Sequence, residues 1–252
     1  MSATAIAFDT NELARRRLLS IRKEPLFYAN WDDAVFIHYE AEPQILQRSV
    51  PYDLDLFGGG AFVSLVAFTM RGMRPRIGGR IGRMIFKPIA THHFLNIRTY
   101  VRHRGEPGIY FMREWLSNRV SVLLGPSTFG LPYRFGQITH SGWRGHVRAK
   151  EGALSYCANL ANGPFEICEP GSLAEFLLER YTAFTQFGKT KRFFRIWHEP
   201  WRQACAKIDI IENDLLRANG DWFTHAQIVS ANCSPGVKVW MGWPHKIDHR
   251  IA

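Results

Sequence analysis

The sequence predicts an α+β protein built on an antiparallel sheet or barrel, and three observations carry that prediction. Short runs with strand character recur along the chain. About three segments carry helical patterning, and strands do not alternate with helices in the manner of a parallel sheet. Of the 252 residues, 46% are apolar and 13% aromatic, enough for one large core, and only 21% are charged, which excludes a disordered chain. Neither a repeat nor a Pro/Gly-rich linker divides the chain. Residues 1–252 are therefore read as one domain, with a helical arm over 1–25 and a sheet-rich body over 26–252.

Along the chain, the spacing of Leu13, Arg17, Leu18 and Ile21 predicts a short amphipathic helix over residues 10–21. Residues 34–40 and 61–70 are apolar runs of strand length. In 94–103, Leu95, Ile97, Thr99 and Val101 alternate with Asn96, Arg98, Tyr100 and Arg102, the period of a strand with unlike faces. The turn signal Arg104-Gly-Glu-Pro-Gly108 follows and 109–115 returns, which predicts a hairpin. Residues 118–124 read as a short helix stopped by Gly125-Pro126. A second hairpin is expected from 143–150 and 153–160, turning at Glu151-Gly152. Ser172-Leu-Ala-Glu175 is a capping box for a helix that turns Leu173, Phe176, Leu177, Tyr181 and Phe184 inward. Residues 193–197, 204–211 and 226–229 supply further strands.

The formal charge of +10 arises from 24 Arg and 8 Lys against 22 acidic residues. Such an excess suits an anionic partner: nucleic acid, a membrane surface or an acidic small molecule. Arg15, Arg16, Arg17, Arg22 and Lys23 crowd one segment, and Arg71, Arg74, Arg76, Arg80 and Arg83 another. Neither cluster carries interleaved aromatics, so both read as solvated faces, and nucleic acid is not the expected partner. The four cysteines lie far apart without a CxxC pair, as in reduced cytosolic proteins. No secretory core and no run of about 18–20 apolar residues is found. A cytoplasmic protein with no membrane partner is expected.

Most motifs with chemical meaning fail on spacing. Gly188-Lys-Thr190 resembles the end of a P-loop, but Ala183 stands where that motif needs glycine. Gly58-Gly-Gly60 reads as a tight turn, and Gly78-Gly-Arg-Ile-Gly82 as a mobile Arg-rich loop. His92 and His93 are adjacent, so on a strand they face opposite ways. His198-Glu199 lacks the second histidine of a zinc helix, and His140, His146, His245 and His249 have no ligand spacing. Asp53 and Asp55, after Val50-Pro51, read as a turn closure. No metal site and no cofactor is expected.

One segment combines turn residues with Tyr133 and Arg134 opening a strand: Leu123-Leu-Gly-Pro-Ser-Thr-Phe-Gly-Leu-Pro-Tyr-Arg-Phe-Gly136. Upstream, Arg98 and Tyr100 lie on the polar face of the alternating strand, with Arg113 or Glu114 as hairpin partners. Either that face is turned to solvent, or it lines an interior cavity where Arg groups hold a carboxylate in bidentate fashion. An Arg98–Glu114 ion pair that binds nothing is the purely structural alternative.

These stretches also carry a resemblance. Val50-Pro-Tyr-Asp-Leu-Asp-Leu-Phe-Gly-Gly59, residues 61–70, Asn96-Ile-Arg-Thr-Tyr-Val101, Gly105-Glu-Pro-Gly-Ile-Tyr-Phe111 and Leu131-Pro-Tyr-Arg134 resemble, in this order, the YqjF-like family. That family is a bacterial domain of unknown function in the acetoacetate decarboxylase-like superfamily, and the match runs from about residue 31 to 197. The resemblance implies a cone-like antiparallel barrel with a central pocket and a few external helices. In the decarboxylases, a Pro-Lys-Lys segment supplies a lysine that forms a Schiff base with a β-keto acid. Here Pro132 is followed by Tyr133 and Arg134, and neither side chain forms an imine.

The expectation is therefore a pocket that binds a small anionic or carboxylate ligand without Schiff-base catalysis. Arg134 would hold the anion, Arg98 would be a second clamp, and Tyr133 or Tyr100 would orient an oxygen. Glu114 and His93 complete the candidate ligand contacts. The first alternative is an enzyme of lyase or hydrolase type acting on an oxo acid. Tyr133, its pKa depressed beside Arg134, and Arg134 itself would then be the catalytic acid–base groups. The second is a basic module for nucleic acid or a protein partner. Whether a reaction is catalysed, and whether the chain forms a homo-oligomer, the sequence leaves open.

Overall fold

Alternating apolar positions turn into strands that share one 15-stranded sheet in the computed structural model, which describes residues 3–161 and 163–247. In chain order these are β1 (Phe27–Ala41), β2 (Asp53–Leu54), β3 (Ala61–Pro75), β4 (His92–His103) and β5 (Glu106–Leu116). Next come β6 (Tyr133–Phe135), β7 (Gln137–Ser141), β8 (Arg144–Ala149), β9 (Gly152–Leu160) and β10 (Glu166–Ile167). The last are β11 (Thr182–Phe187), β12 (Thr190–His198), β13 (Arg202–Glu212), β14 (Gln227–Met241) and β15 (His245–Lys246). The α-helices among the described residues are α1 (Ala3–Leu19), α2 (Pro43–Gln47), α3 (Gly79–Phe86), α4 (Arg119–Phe129), α5 (Leu173–Leu178) and α6 (Asp214–Arg217).

The main pairing path runs β15-β12-β11-β5-β4-β3-β1-β14-β13-β9-β8-β7, and β12 also pairs with β14. The stretch from β12 through β4 to β14 thus returns to its own start. Pairing is antiparallel except where β5 meets β11 and β6. The fold is mixed α+β and dominated by its sheet. No described helix is long and apolar enough to cross a membrane.

Strand parity divides the interior into two apolar clusters. Val35, Ile37, Leu65, Leu95, Ile97 and Trp222 pack on one side of the strands. Phe36, Val66, Phe68, Phe94, Phe111 and Trp201 pack on the other. Burying each such side chain stabilises the fold by about 1.5–3 kcal/mol, so reversing the parity of one strand would expose several at once.

Both expected hairpins form, the first turning at Arg104 and Gly105, which have positive φ, and the second at Lys150 and Glu151. Four local expectations are corrected. The helix expected over 118–124 does not stop at Gly125-Pro126. Asn118 caps it, the hydroxyls of Ser127 and Thr128 donate to the Leu124 carbonyl, and Gly130 in the left-handed region ends it. The helix opened by Ser172 ends at Leu178, so Tyr181 lies beyond it and Phe184 belongs to β11. Ser172 accepts from the Glu175 N–H as expected, but the Glu175 carboxylate reaches the N–H of Gly171 and not that of Ser172. The Arg-rich loop expected at 78–82 is the start of α3. His249 lies outside the described residues, as do residues 1–2 of the arm.

Asp55 does more than close a turn. It is buried, and its carboxylate accepts from Arg180 at 2.7 Å and from Arg102 at 3.0 Å. That bridge ties the segment after β2 to the turn that follows α5 and to β4, next to the site described below.

Candidate functional site

β4 builds the site by its period of two. Leu95, Ile97 and Val101 face one apolar cluster, while His92, Phe94, Asn96 and Arg98 face a cavity of about 560 Å³. The alternating polar face is thus turned inward, with Asn96 and Arg98 only 3% and 6% exposed. The walls are almost entirely apolar and aromatic, with Phe68, Phe111, Phe194, Ile196 and Trp201 among them. Leu124 and Trp243 line the cavity yet are nearly half exposed, which puts the mouth beside them and the polar floor at the buried end.

On that floor, Arg98 is held from behind. Leu177 sits in the last turn of α5, where backbone carbonyls lack intrahelical partners. Its carbonyl accepts from an Arg98 terminal nitrogen at 3.0 Å and from the Tyr100 hydroxyl at 2.9 Å. Tyr100 in turn lies 2.5 Å from Ser64 Oγ, which lies 2.6 Å from His38 Nδ1. Arg98 also lies over the ring of Phe36. It forms no ion pair among the described residues, and its Nε has no hydrogen-bond partner. The ion pair with Glu114 does not form.

Other floor atoms are also unpartnered: Asn96 Oδ1, Glu114 Oε2, Ser121 Oγ and both ring nitrogens of His92. Asn96 and Glu114 are directly opposed in the β4–β5 pairing. Burial pushes the Glu114 carboxyl well above the usual carboxylate range, which favours its neutral form, and in that form it can donate a hydrogen bond. Burial lowers His92 to about 4, which makes it neutral as well. Arg98 is the one arginine or lysine among the described lining residues, and Glu114 is the one carboxyl.

The other expected site residues divide cleanly. Tyr133 lines the cavity, its ring against Gly125, where an added Cβ would lie 2.2 Å from the ring. Burial first, then the proximity of Glu114, raises its phenol well above the ordinary value, the reverse of the depression expected beside Arg134. Arg134 is the next residue along β6 and faces outward: it is exposed and pairs with Glu151. Tyr100 is buried and its hydroxyl is committed to Leu177 and Ser64, outside the cavity lining. His93 faces away, its Nδ1 3.0 Å from Thr69 Oγ1 and its ring towards His140. The geometry thus gathers Arg98, Glu114 and Tyr133 and leaves out Arg134, Tyr100 and His93. It adds Asn96 and His92, which share β4 parity with Arg98 and were legible by counting in twos. No lysine lines the cavity, and no group of metal-ligating side chains is found among the described residues.

Comparison with known proteins extends the likeness found in the sequence. The model of DUF2071, described as an uncharacterized conserved protein, matches residues 28–238. The uncharacterized protein YqjF of Bacillus subtilis strain 168 is 30% identical over 200 residues, 75% of this chain and 80% of that one. Among solved structures, the acetoacetate decarboxylase of Legionella pneumophila is similar with a TM-score of 0.59 at 15% identity, over 89% of this chain and 88% of that one. The enduracididine biosynthesis enzyme MppR, complexed with pyruvate, has a TM-score of 0.59 at 12% identity, over 91% and 93%. At such identities the shared feature is the fold.

Proposed function

The chain belongs to the DUF2071 family, and we propose that it binds a small carboxylate with an apolar body inside a barrel formed by the strands from β12 through β4 to β14. The carboxylate meets Arg98, the protonated Glu114 carboxyl donates to one of its oxygens, and the aromatic walls cover the remainder. One observation carries the reading: a buried guanidinium without a counter-ion opens onto a cavity with largely apolar walls. Burying an unpaired charge is costly, and an anion at this position offsets that cost. The reading involves no Schiff-base step, in keeping with the absence of lysine from the lining among the described residues. The pyruvate of the MppR complex is in keeping with an oxo acid as ligand class.

The test is thermal stability of wild type and Arg98→Met with phenylpyruvate, 4-methyl-2-oxopentanoate, octanoate and their methyl esters. A ligand at 100 times its Kd stabilises the folded state by about 2.7 kcal/mol, a shift of about 5–10 °C for a chain of this size. The acids should shift wild type, the esters should not, and Arg98→Met should respond to neither. A shift that persists in Arg98→Met, or the absence of any shift with the acids, overturns the proposal.

A further inference from the structure

The cavity reading leaves the second arginine cluster unused, and its surroundings in the fold are specific. On α3, Ile81, Met84 and Ile85 share one side and are 69%, 71% and 67% exposed, with Ile77 just before the helix at 68%. The opposite side is committed to the body. A Cβ at Gly82 would lie 3.0 Å from the Pro75 ring at the end of β3, and Phe86 packs its ring 5.3 Å from that of Phe27 and lines the cavity. The helix cannot roll to bury its isoleucines without pulling Phe86 out of the cavity wall.

The charge around this apolar side is of one sign. Arg74, Arg76, Arg80, Arg83 and Lys87 are exposed and make no ion pair among the described residues, whereas Arg71 is held by Asp32 and Asp33. At 100° per residue, Arg80, Arg83 and Lys87 cluster together along the Met84 edge of the Ile81–Met84–Ile85 side. No acidic residue occurs from Leu56 to Gly105. α4, whose cap Asn118 donates to the Pro88 carbonyl just after α3, adds exposed Val120 and Leu123.

We propose that α3 and its flanks dock on the surface of an anionic lipid bilayer, the isoleucines and Met84 entering the headgroup boundary and the basic residues meeting lipid phosphates. Charge decides between this partner and a second copy of the chain. A two-fold contact through α3 would bring two identical sets of five unpaired cations together, whereas an anionic surface neutralises them. The expectation of no membrane partner rested on the lack of a spanning segment, and surface docking needs none. The inference stands independently of what the cavity binds.

The experiment is cosedimentation of the whole chain with phosphatidylcholine vesicles, with and without phosphatidylglycerol, alongside light scattering of the free protein. Wild type should sediment with the anionic vesicles only, and raised salt should weaken it. Each basic residue near the surface contributes about fivefold, so Arg80→Gln with Arg83→Gln should weaken partition roughly 25-fold. Ile81→Ser with Met84→Ser should weaken it at least about tenfold. All four side chains are exposed, so both double variants should melt like wild type. Equal sedimentation with neutral vesicles, none with anionic ones, or unchanged partition in either double variant overturns the proposal. So does a wild-type dimer that Ile81→Ser with Met84→Ser converts to a monomer, since α3 would then be a self-interface.

Discussion

Replacing Glu114 with glutamine isolates the state of the cavity floor. Glu114 is 3% exposed, has an unpartnered Oε2, and is raised from its ordinary value of 4.5 by burial alone. In the folded protein it stays neutral over a pH range in which the unfolded chain has already ionised. A carboxyl whose folded pKa is raised leaves the protein most stable below its unfolded pKa, and stability is lost as pH climbs towards the folded pKa. The loss is about 1.4 kcal/mol for each pH unit above 4.5 over which the folded carboxyl keeps its proton. Glutamine has the same shape and no proton to lose. The stability of Glu114→Gln minus that of wild type should therefore be flat below about pH 4.5, rise with that slope above it, and level off at the folded pKa. Urea unfolding of both proteins across this range measures it, because all other titrating groups cancel in the difference. A difference that stays flat through pH 4.5 and above would mean that Glu114 ionises normally. The cavity would then hold an Arg98–Glu114 charge pair with no net positive charge, and the carboxylate proposal would lose its basis.

Two further expectations follow from the placement of charges. Arg134→Ala removes only an exposed pair with Glu151 and should cost about 0–1 kcal/mol while leaving any carboxylate-induced thermal shift intact; a lost shift would put Arg134 back in the site. Asp55→Ala strands the buried Arg180 and should cost about 3–5 kcal/mol in urea unfolding, and a cost below about 1 kcal/mol would show that water or another group takes over.

The strands were the legible part of the fold, because their signal is local. Parity in residues 94–103 and the Arg104-Gly105 turn are both properties of neighbouring residues. What could not be read is the pairing of β12 with β14, more than 40 residues apart, which brings the pairing path back on itself. The helix errors share a cause. Gly125-Pro126 is a stop signal in an isolated helix, yet α4 runs on past it, the hydroxyls of Ser127 and Thr128 donating to the Leu124 and Gly125 carbonyls of its last turns. At the other end, capping chemistry marked where α5 begins, yet nothing local to Leu173–Leu178 marked that Thr182 would be taken up by strand pairing.

At the site, counting in twos was sufficient on β4 and β6 and insufficient on β5. Adjacent strand residues face opposite ways, so Tyr133 and Arg134 could not both enter one cavity, nor His93 share a face with Arg98. The same rule that separated His92 from His93 also selects His92 and Asn96. On β5 the rule fails for a physical reason. Asn96 pairs with Glu114 and Ile97 with Arg113, but Arg98 pairs with Phe111, so one extra residue bulges from β5. Counted from Glu114 without the bulge, Met112 would face the cavity; with it, Met112 joins the far cluster and Phe111 takes the wall. The bulge thus places an aromatic ring opposite Arg98 where an unbroken ladder would place a flexible thioether. Glu114, opposed to Asn96 before the bulge, faces the cavity with or without it and makes no ion pair with Arg98.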